Sequence, residues 1–300
     1  MMRITSSMMS ENILNSLQKN TESLMKAQTV VSSGLKINQP SDDPVGMAAA
    51  LNYNATISSV DQYTGNIKQA KTTLNVADST LSSINNLLTQ AKQIALQQVN
   101  GTMSATDRSA AATQVQSLLD QFVQLANTKQ GNFYVFGGRN TTTAPYDTTN
   151  PSSGFQGDDG QMPVVVGNGV TIDTHVSGKN AFSATTSSTA VDPAVVLSNL
   201  ITGLKNNDTT AISNQLTPLD TASTQVVNTR SGIGNTLNRL DATQSYWSSF
   251  KLNIQKALSN TEDADLTQAA SDLTQQQTAY QASLSVAAKI IQPTLLDFLK

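Results

Sequence analysis

The side chains able to do covalent or acid–base chemistry are few and scattered. The single histidine, His175, sits in Asp173-Thr174-His175, and cysteine is absent. Without cysteine there is no disulfide, no thiolate nucleophile and no Cys-ligated metal. One imidazole without further ligands makes neither a metal site nor a catalytic triad. Two acidic pairs, Asp42-Asp43 and Asp158-Asp159, could be imagined as a general acid and base. Adjacent side chains diverge, however, and helix capping or turn formation accounts for both pairs better. Gly178-Lys179 lacks the upstream Gly and the following Ser or Thr of a phosphate loop. Gly137-Gly138, after Phe133-Tyr134-Val135-Phe136, reads as a strand bend and not as a nucleotide cradle. No catalytic residue, cofactor or metal is expected, and the chain reads as a structural protein rather than an enzyme.

The most informative stretch is Ser32-Ser33-Gly34-Leu35-Lys36-Ile37-Asn38-Gln39-Pro40-Ser41-Asp42-Asp43-Pro44-Val45-Gly46. It stops one helix and starts another. Gly34 can take the left-handed conformation that ends a helix, and Pro40 blocks helical continuation through Gln39. Asp42 or Asp43 can then cap a new helix, with Pro44 in its first turn, where the missing N–H costs nothing.

Beyond this joint the pattern is heptad. Tyr53, Val60, Ile67, Leu74, Leu81, Leu88 and Ala95 form one seam, and Thr56, Tyr63, Ala70, Ala77, Ile84 and Ala91 the other. That predicts one helix from Pro44 to Val99, roughly 80 Å long at 1.5 Å per residue. Asn100-Gly101 ends it. Ser104 with Asp107 then opens a shorter helix with Val115, Leu118, Leu119, Phe122 and Leu125 on its apolar face, closed by Gly131. A second long helix is expected from near Asp208 to Ser259, seamed by Leu219, Val226, Ile233, Leu240, Trp247 and Ile254. Its companion seam is mixed, and polar members such as Ser223, Arg230 and Gln244 either fix register or face solvent. Between these halves, residues 139–191 are rich in Gly, Thr, Ser and Asn. Val164-Val165-Val166, Gly167-Asn168-Gly169 and Val170-Thr171-Ile172 read as strand, turn and strand, or as a partly disordered loop.

The two ends carry amphipathic stripes. One is Ile4, Met8, Ile13, Leu17, Leu24 and Val31; the other runs through Leu266, Leu273, Tyr280, Leu284, Ile291 and Phe298. A lone amphipathic helix cannot bury its own stripe, so the ends must pair with each other or with neighbouring molecules. The expected class is mainly α: a long antiparallel helical bundle or coiled-coil rod with paired terminal helices and a small β-rich insertion. The expected domains are 1–43 with 264–300 for assembly, 44–138 with 192–263 for the long helices, and 139–191 for the insertion. Charged residues are only 13% of the chain and the net charge is −3, which gives no electrostatic reason to expect nucleic acid or an anionic membrane. No run approaches the roughly 18 apolar residues of a membrane helix. Met1-Met2-Arg3-Ile4-Thr5-Ser6-Ser7 has no apolar signal core, so no cleaved signal peptide is expected.

The joint sequence Ser33-Gly34-Leu35-Lys36-Ile37-Asn38 with Asp42-Asp43 resembles the N-terminal signature of the bacterial flagellin superfamily. Leu125-Ala126-Asn127-Thr128, Phe136-Gly137-Gly138, Arg230 with Leu237-Asn238-Arg239, and Leu295-Leu296-Asp297-Phe298-Leu299 are similar to its hook-associated branch. The resemblance implies a structural subunit of the flagellum, exported by the type III route to form the junction between hook and filament. It implies a ring of like subunits, a hook-associated protein on the hook side, and a filament-side hook-associated protein or flagellin beyond. It also implies a cytosolic export chaperone, with Tyr280, Leu284, Ile291 and Phe298 as the contact. Residues 1 to about 40 and 265–300 are expected to become helical only on assembly. A minor flagellin, or a needle or tip protein of a virulence secretion system, is the alternative.

Overall fold

The structure, a computed structural model, describes residues 6–160, 162–174, 176, 178–182 and 191–291, the side chains of 6, 7, 290 and 291 excepted. The chain divides into two compact units: Met1–Ser59 with Ser249–Lys300, and Val60–Ser248.

Helix α1 spans Ser6–Ser33 and helix α2 spans Pro44–Gln98. The heptad seams of α2 are the reason it buries one stripe along its length: Val60, Ile67, Leu74, Leu81, Leu88 and Ala95 are all buried, as are Ala70, Ala77, Ile84 and Ala91. Helix α3, Ala105–Ala126, opens on the expected capping box, in which Asp107 N–H donates to Ser104 Oγ and Ser104 N–H donates to the Asp107 carboxylate. It ends at Ala126, earlier than the expected stop at Gly131. Gly131, with a φ of 61°, instead turns the short hairpin of β1 (Lys129–Gln130) and β2 (Phe133–Tyr134).

The insertion carries the second hairpin, β3 (Pro163–Gly167) against antiparallel β4 (Val170–Asp173), with a bulge between Val165 and Gly167. Helix α4 spans Gly178–Phe182. Helix α5, Pro193–Lys205, precedes the start near Asp208 expected for the second long helix and was not among the expected elements. Its start is chemically plain: Asp192 caps it by accepting from Ala194 N–H, and Pro193 occupies its first turn. After α6 (Thr209–Asn214, capped by Asp208) comes α7, Leu216–Glu262, and after it α8, Leu266–Ile291. Pro218 therefore lies near the start of α7 and breaks nothing.

In the larger unit α2 and α7 run antiparallel, joined by a ladder of polar rungs. Lys92 Nζ lies 2.5 Å from Asp220 Oδ1, Ser223 Oγ donates to Asn85 Oδ1 at 2.6 Å, and Arg230 Nε donates to Asp78 Oδ1 at 2.9 Å. Lys71 binds both Asp241 and Gln244. The rungs fall at heptad intervals on α2, so the mixed seam of α7 meets partners and does not simply face water. The globular end of this unit packs on an aromatic cluster. Phe122, Tyr146 and Phe182 are fully buried, and Phe122 stands edge-on to Tyr146 at 5.2 Å and to Phe182 at 5.6 Å.

Candidate assembly surface on the terminal helices

The joint between α1 and α2 forms as its residues demand. Gly34 ends α1 with a φ of 75°, where a side chain would be strained. Asp43 is the residue that caps α2: its Oδ1 accepts from Val45 N–H at 3.1 Å and Gly46 N–H at 3.0 Å. Asp42 closes the loop instead. Its Oδ2 accepts from the N–H groups of Asn38 and Gln39, both at 3.1 Å, and its Oδ1 lies 2.7 Å from Lys26 Nζ. The Lys26 ammonium and then those two N–H groups hold the Asp42 carboxyl below its ordinary value. Pro40 lies in the turn that Asp42 N–H closes onto the Gln39 carbonyl, and Pro44 opens α2. A Cβ at Gly46 would lie 2.4 Å from Asp43 Oδ2 and 2.6 Å from Ile37 Cδ1, so any larger residue would displace the capping carboxylate or the buried Ile37 side chain.

The joint is tied to the break between α7 and α8. Leu35 and Asp263 form a β-bridge, Lys36 N–H donates to the Glu262 carbonyl at 2.7 Å, and Ala264 N–H donates to the Gly34 carbonyl at 2.9 Å. Lys36 Nζ adds a bond to the Asn260 carbonyl at 2.8 Å. Helices α1 and α8 pack together from this point. Ile13, Leu17, Leu24 and Val31 of α1 and Leu273 and Tyr280 of α8 are each half-buried, and Asn20 Nδ2 donates to Ser283 Oγ at 2.5 Å. Among the described residues of this unit only Ile37, Ala50 and Ala269 are buried apolar side chains. Pairing thus covers each stripe in part. Met8, Met9, Leu14 and Met25 on α1, and Leu266, Leu284 and Val286 on α8, remain exposed. Leu266 and Leu284, both on the stripe read from the sequence, are thus among the residues that the pairing leaves open. Ile4, Phe298 and the side chain of Ile291 lie outside the described residues.

Of the groups with potential chemistry, His175 lies outside the described residues. Asp158 is committed to a turn, its Oδ1 accepting from Arg139 N–H at 2.6 Å and Gly160 N–H at 3.1 Å. Gly138, with a φ of 74°, makes room for it, since a Cβ there would lie 1.7 Å from that oxygen. No cluster of potential metal ligands occurs among the described residues, and no helix there is long and apolar enough to cross a membrane. A groove of about 700 Å³ between α2 and the two hairpins is lined, among the described residues, by carboxamides, hydroxyls and apolar groups without a charged side chain.

Sequence reasoning missed two clamps that hold the insertion. The Asn127 carboxamide pairs with the Tyr146 backbone, Nδ2 donating to its carbonyl and Oδ1 accepting from its N–H, both at 2.9 Å. Asp192, besides capping α5, accepts from Tyr146 Oη at 3.0 Å and Phe155 N–H at 2.8 Å. Burial pushes both the Asp192 carboxyl and the Tyr146 hydroxyl above their ordinary values. The Leu-Ala-Asn-Thr motif held the first signal, but its partner lies 19 residues on.

Known proteins match along this whole framework. The bacterial flagellin N-terminal helical region matches residues 4–141, and the bacterial flagellin C-terminal helical region matches residues 216–299. Flagellar hook-associated protein 3 of Salmonella typhimurium is 28% identical over 302 residues, covering 94% of this chain and 95% of that protein. A flagellin of Listeria innocua is 24% identical over 298 residues, covering 97% and 96%. A solved chain from Vibrio parahaemolyticus, provisionally described as a flagellar hook-associated protein, superposes with a TM-score of 0.68 at 25% identity, covering 74% of this chain and 100% of that one. With α1, α2 and α3 in one match and α7 and α8 in the other, the chain belongs to the bacterial flagellin family.

Proposed function

We propose that the chain is a structural subunit of the bacterial flagellum that forms the junction between hook and filament. The observation that carries this reading is the extent of the similarity to hook-associated protein 3. It covers nearly all of both chains, so the two share one length and one plan, at higher identity than the full-length flagellin match. The exposed apolar residues of α1 and α8 supply the physical reason for assembly. Stripes that one pair of helices covers only in part are completed by the same helices of neighbouring subunits. Such a subunit works outside the cell.

The finer assignments follow from that reading. Like subunits form a ring through residues 1–43 and 264–300, with Ile4, Ile13, Leu17, Leu24, Val31, Leu266, Leu273, Tyr280, Leu284, Ile291 and Phe298 in the contacts. A hook-associated protein lies on the hook side, and flagellin or another hook-associated protein on the filament side. Before export a cytosolic chaperone covers the C-terminal segment at Tyr280, Leu284, Ile291 and Phe298. Leu284 is exposed on α8, where such a protein could reach it.

Deletion of the gene tests the proposal. Bare hooks under the electron microscope, with flagellin shed into the medium and filaments restored by the intact gene, are the expected result. Normal filaments in the deletion strain would overturn the junction role and favour a minor flagellin.

A further inference from the structure

Methionine is unevenly distributed. Of the eight in the chain, Met1, Met2, Met8, Met9 and Met25 fall within the first 25 residues, whereas the α8 sequence has none. On α1 the described ones are open to solvent: Met25 is 61% exposed, Met8 54% and Met9 45%. Met47 and Met103 are half-buried, and Met162, in the other unit, is 47% exposed. With no cysteine present, the thioethers are the softest accessible nucleophiles of the chain.

We propose that Met8, Met9 and Met25 form an oxidative modification site through which peroxide blocks assembly of the free subunit. This rests on the reading that α1 is an assembly helix. In the reaction a methionine sulfur attacks the terminal oxygen of hydrogen peroxide and the O–O bond breaks. Sulfur is oxidised by two electrons to the sulfoxide, and the peroxide is reduced to water. An apolar, flexible side chain becomes a polar one carrying a strong acceptor. Where a neighbouring apolar stripe covers one of these side chains, few donors are available to satisfy that acceptor. The exposure belongs to the single subunit, so the sensitive period is the one before incorporation. The change is reversible, because methionine sulfoxide reductases return the thioether.

The test uses the full-length protein and hydrogen peroxide. Oxidation at each methionine is read by peptide mass spectrometry. Assembly is read as filament regrowth when the protein is added to deletion-strain cells bearing bare hooks. Sulfoxide is expected at Met25, Met8 and Met9 ahead of Met47 and Met103, with assembly falling at least threefold and recovering after reductase treatment. The volume-conserving variant M8L/M9L/M25L is expected to keep its assembly under the same peroxide, while Met162→Leu leaves the sensitivity unchanged. Less than a threefold loss at complete oxidation of α1, or no recovery after the α1 sulfoxides are reduced, would overturn the proposal. If the triple variant fails to assemble without peroxide, the reductase rescue of the wild-type chain alone decides. Failure of the untreated wild-type protein to restore filaments would instead count against the junction reading itself.

Discussion

The Trp247 indole N–H donates to the Val166 carbonyl at 2.6 Å, at the residue where strand β3 bulges. A regular strand would turn that carbonyl elsewhere; the bulge aims it at α7. Asn66 Nδ2 of α2 takes the neighbouring carbonyl, that of Val165, at 2.9 Å, so both long helices hold the same strand. Substitution of Trp247 by Phe keeps a ring beside Tyr63, 5.3 Å away, and removes the donor. The Val166 carbonyl, on a buried residue, then has no indole partner, and a loss of about 1–3 kcal/mol is expected in urea unfolding. A loss under about 0.3 kcal/mol would mean that water replaces the indole.

The rungs between α2 and α7 specify register more than they stabilise. Arg230 and Asp78 are both about one-third exposed, so Arg230→Ala should cost no more than about 1 kcal/mol, and less in high salt. Charge reversal at Arg230 alone should cost more than alanine, because it sets two carboxylates side by side. The double swap R230D/D78R should recover most of that excess. A swap no better than the single reversal would show that the pair does not discriminate between partners.

Two carboxylates give pH dependences of opposite sign. Lys26 and the loop N–H groups depress Asp42, so its stabilisation of the joint is present above its ordinary value of 3.8 and is lost as pH falls through the depressed one. Burial raises Asp192, so the folded chain holds that proton more tightly than the unfolded chain does, and stability declines as pH rises from 3.8 through the raised value. Asp192→Asn should remove the second slope. Asp42→Asn should remove acid opening of the joint, read as hydrogen exchange at the N–H groups of Asn38 and Gln39.

Glycine substitutions separate conformational need from ornament. Gly138→Ala should destabilise by more than about 2 kcal/mol, because its left-handed backbone strains alanine and Asp158 occupies the space. Gly232 lies inside α7 with open space around it, so Gly232→Ala should stabilise by about 1 kcal/mol. Thermal unfolding of the two variants measures both, and equal shifts would contradict the local account.

Limited proteolysis should cut the free monomer first within α1 and α8. Those helices share few buried apolar side chains, whereas α2, α3, α5 and α7 enclose a continuous core. Termini that resist protease as well as residues 60–248 do would count against completion of the stripes by neighbours.

The long elements were legible because a heptad is a local signal: Val60 to Ala95 repeats at one spacing, and each such residue is buried. The joint was legible because Gly34, Asp43 and Pro44 act on neighbouring backbone. What escaped depends on distance along the chain. Asn127 gives no sign that it will clamp Tyr146, and Trp247 looked like one more seam residue before its N–H met the bulge. Helix α5 escaped because it is short, 13 residues, and its apolar residues Val196, Leu197, Leu200, Ile201 and Leu204 do not continue a heptad seam. On the terminal helices spacing marked the two stripes, but not which members the α1–α8 pairing covers, since the phase of one helix against another is set by the partner. Ile13, Leu17, Leu24 and Val31 are half-buried, whereas Met8, Leu266 and Leu284 are exposed.

The bridge between Leu35 and Asp263 has a mechanical meaning. Gly34 alone would let α1 swing freely, but its carbonyl is held by Ala264 N–H, and its neighbour Lys36 holds Glu262. A pull on either end of the chain is therefore felt at both. The two terminal helices are harnessed at their bases as a single lever.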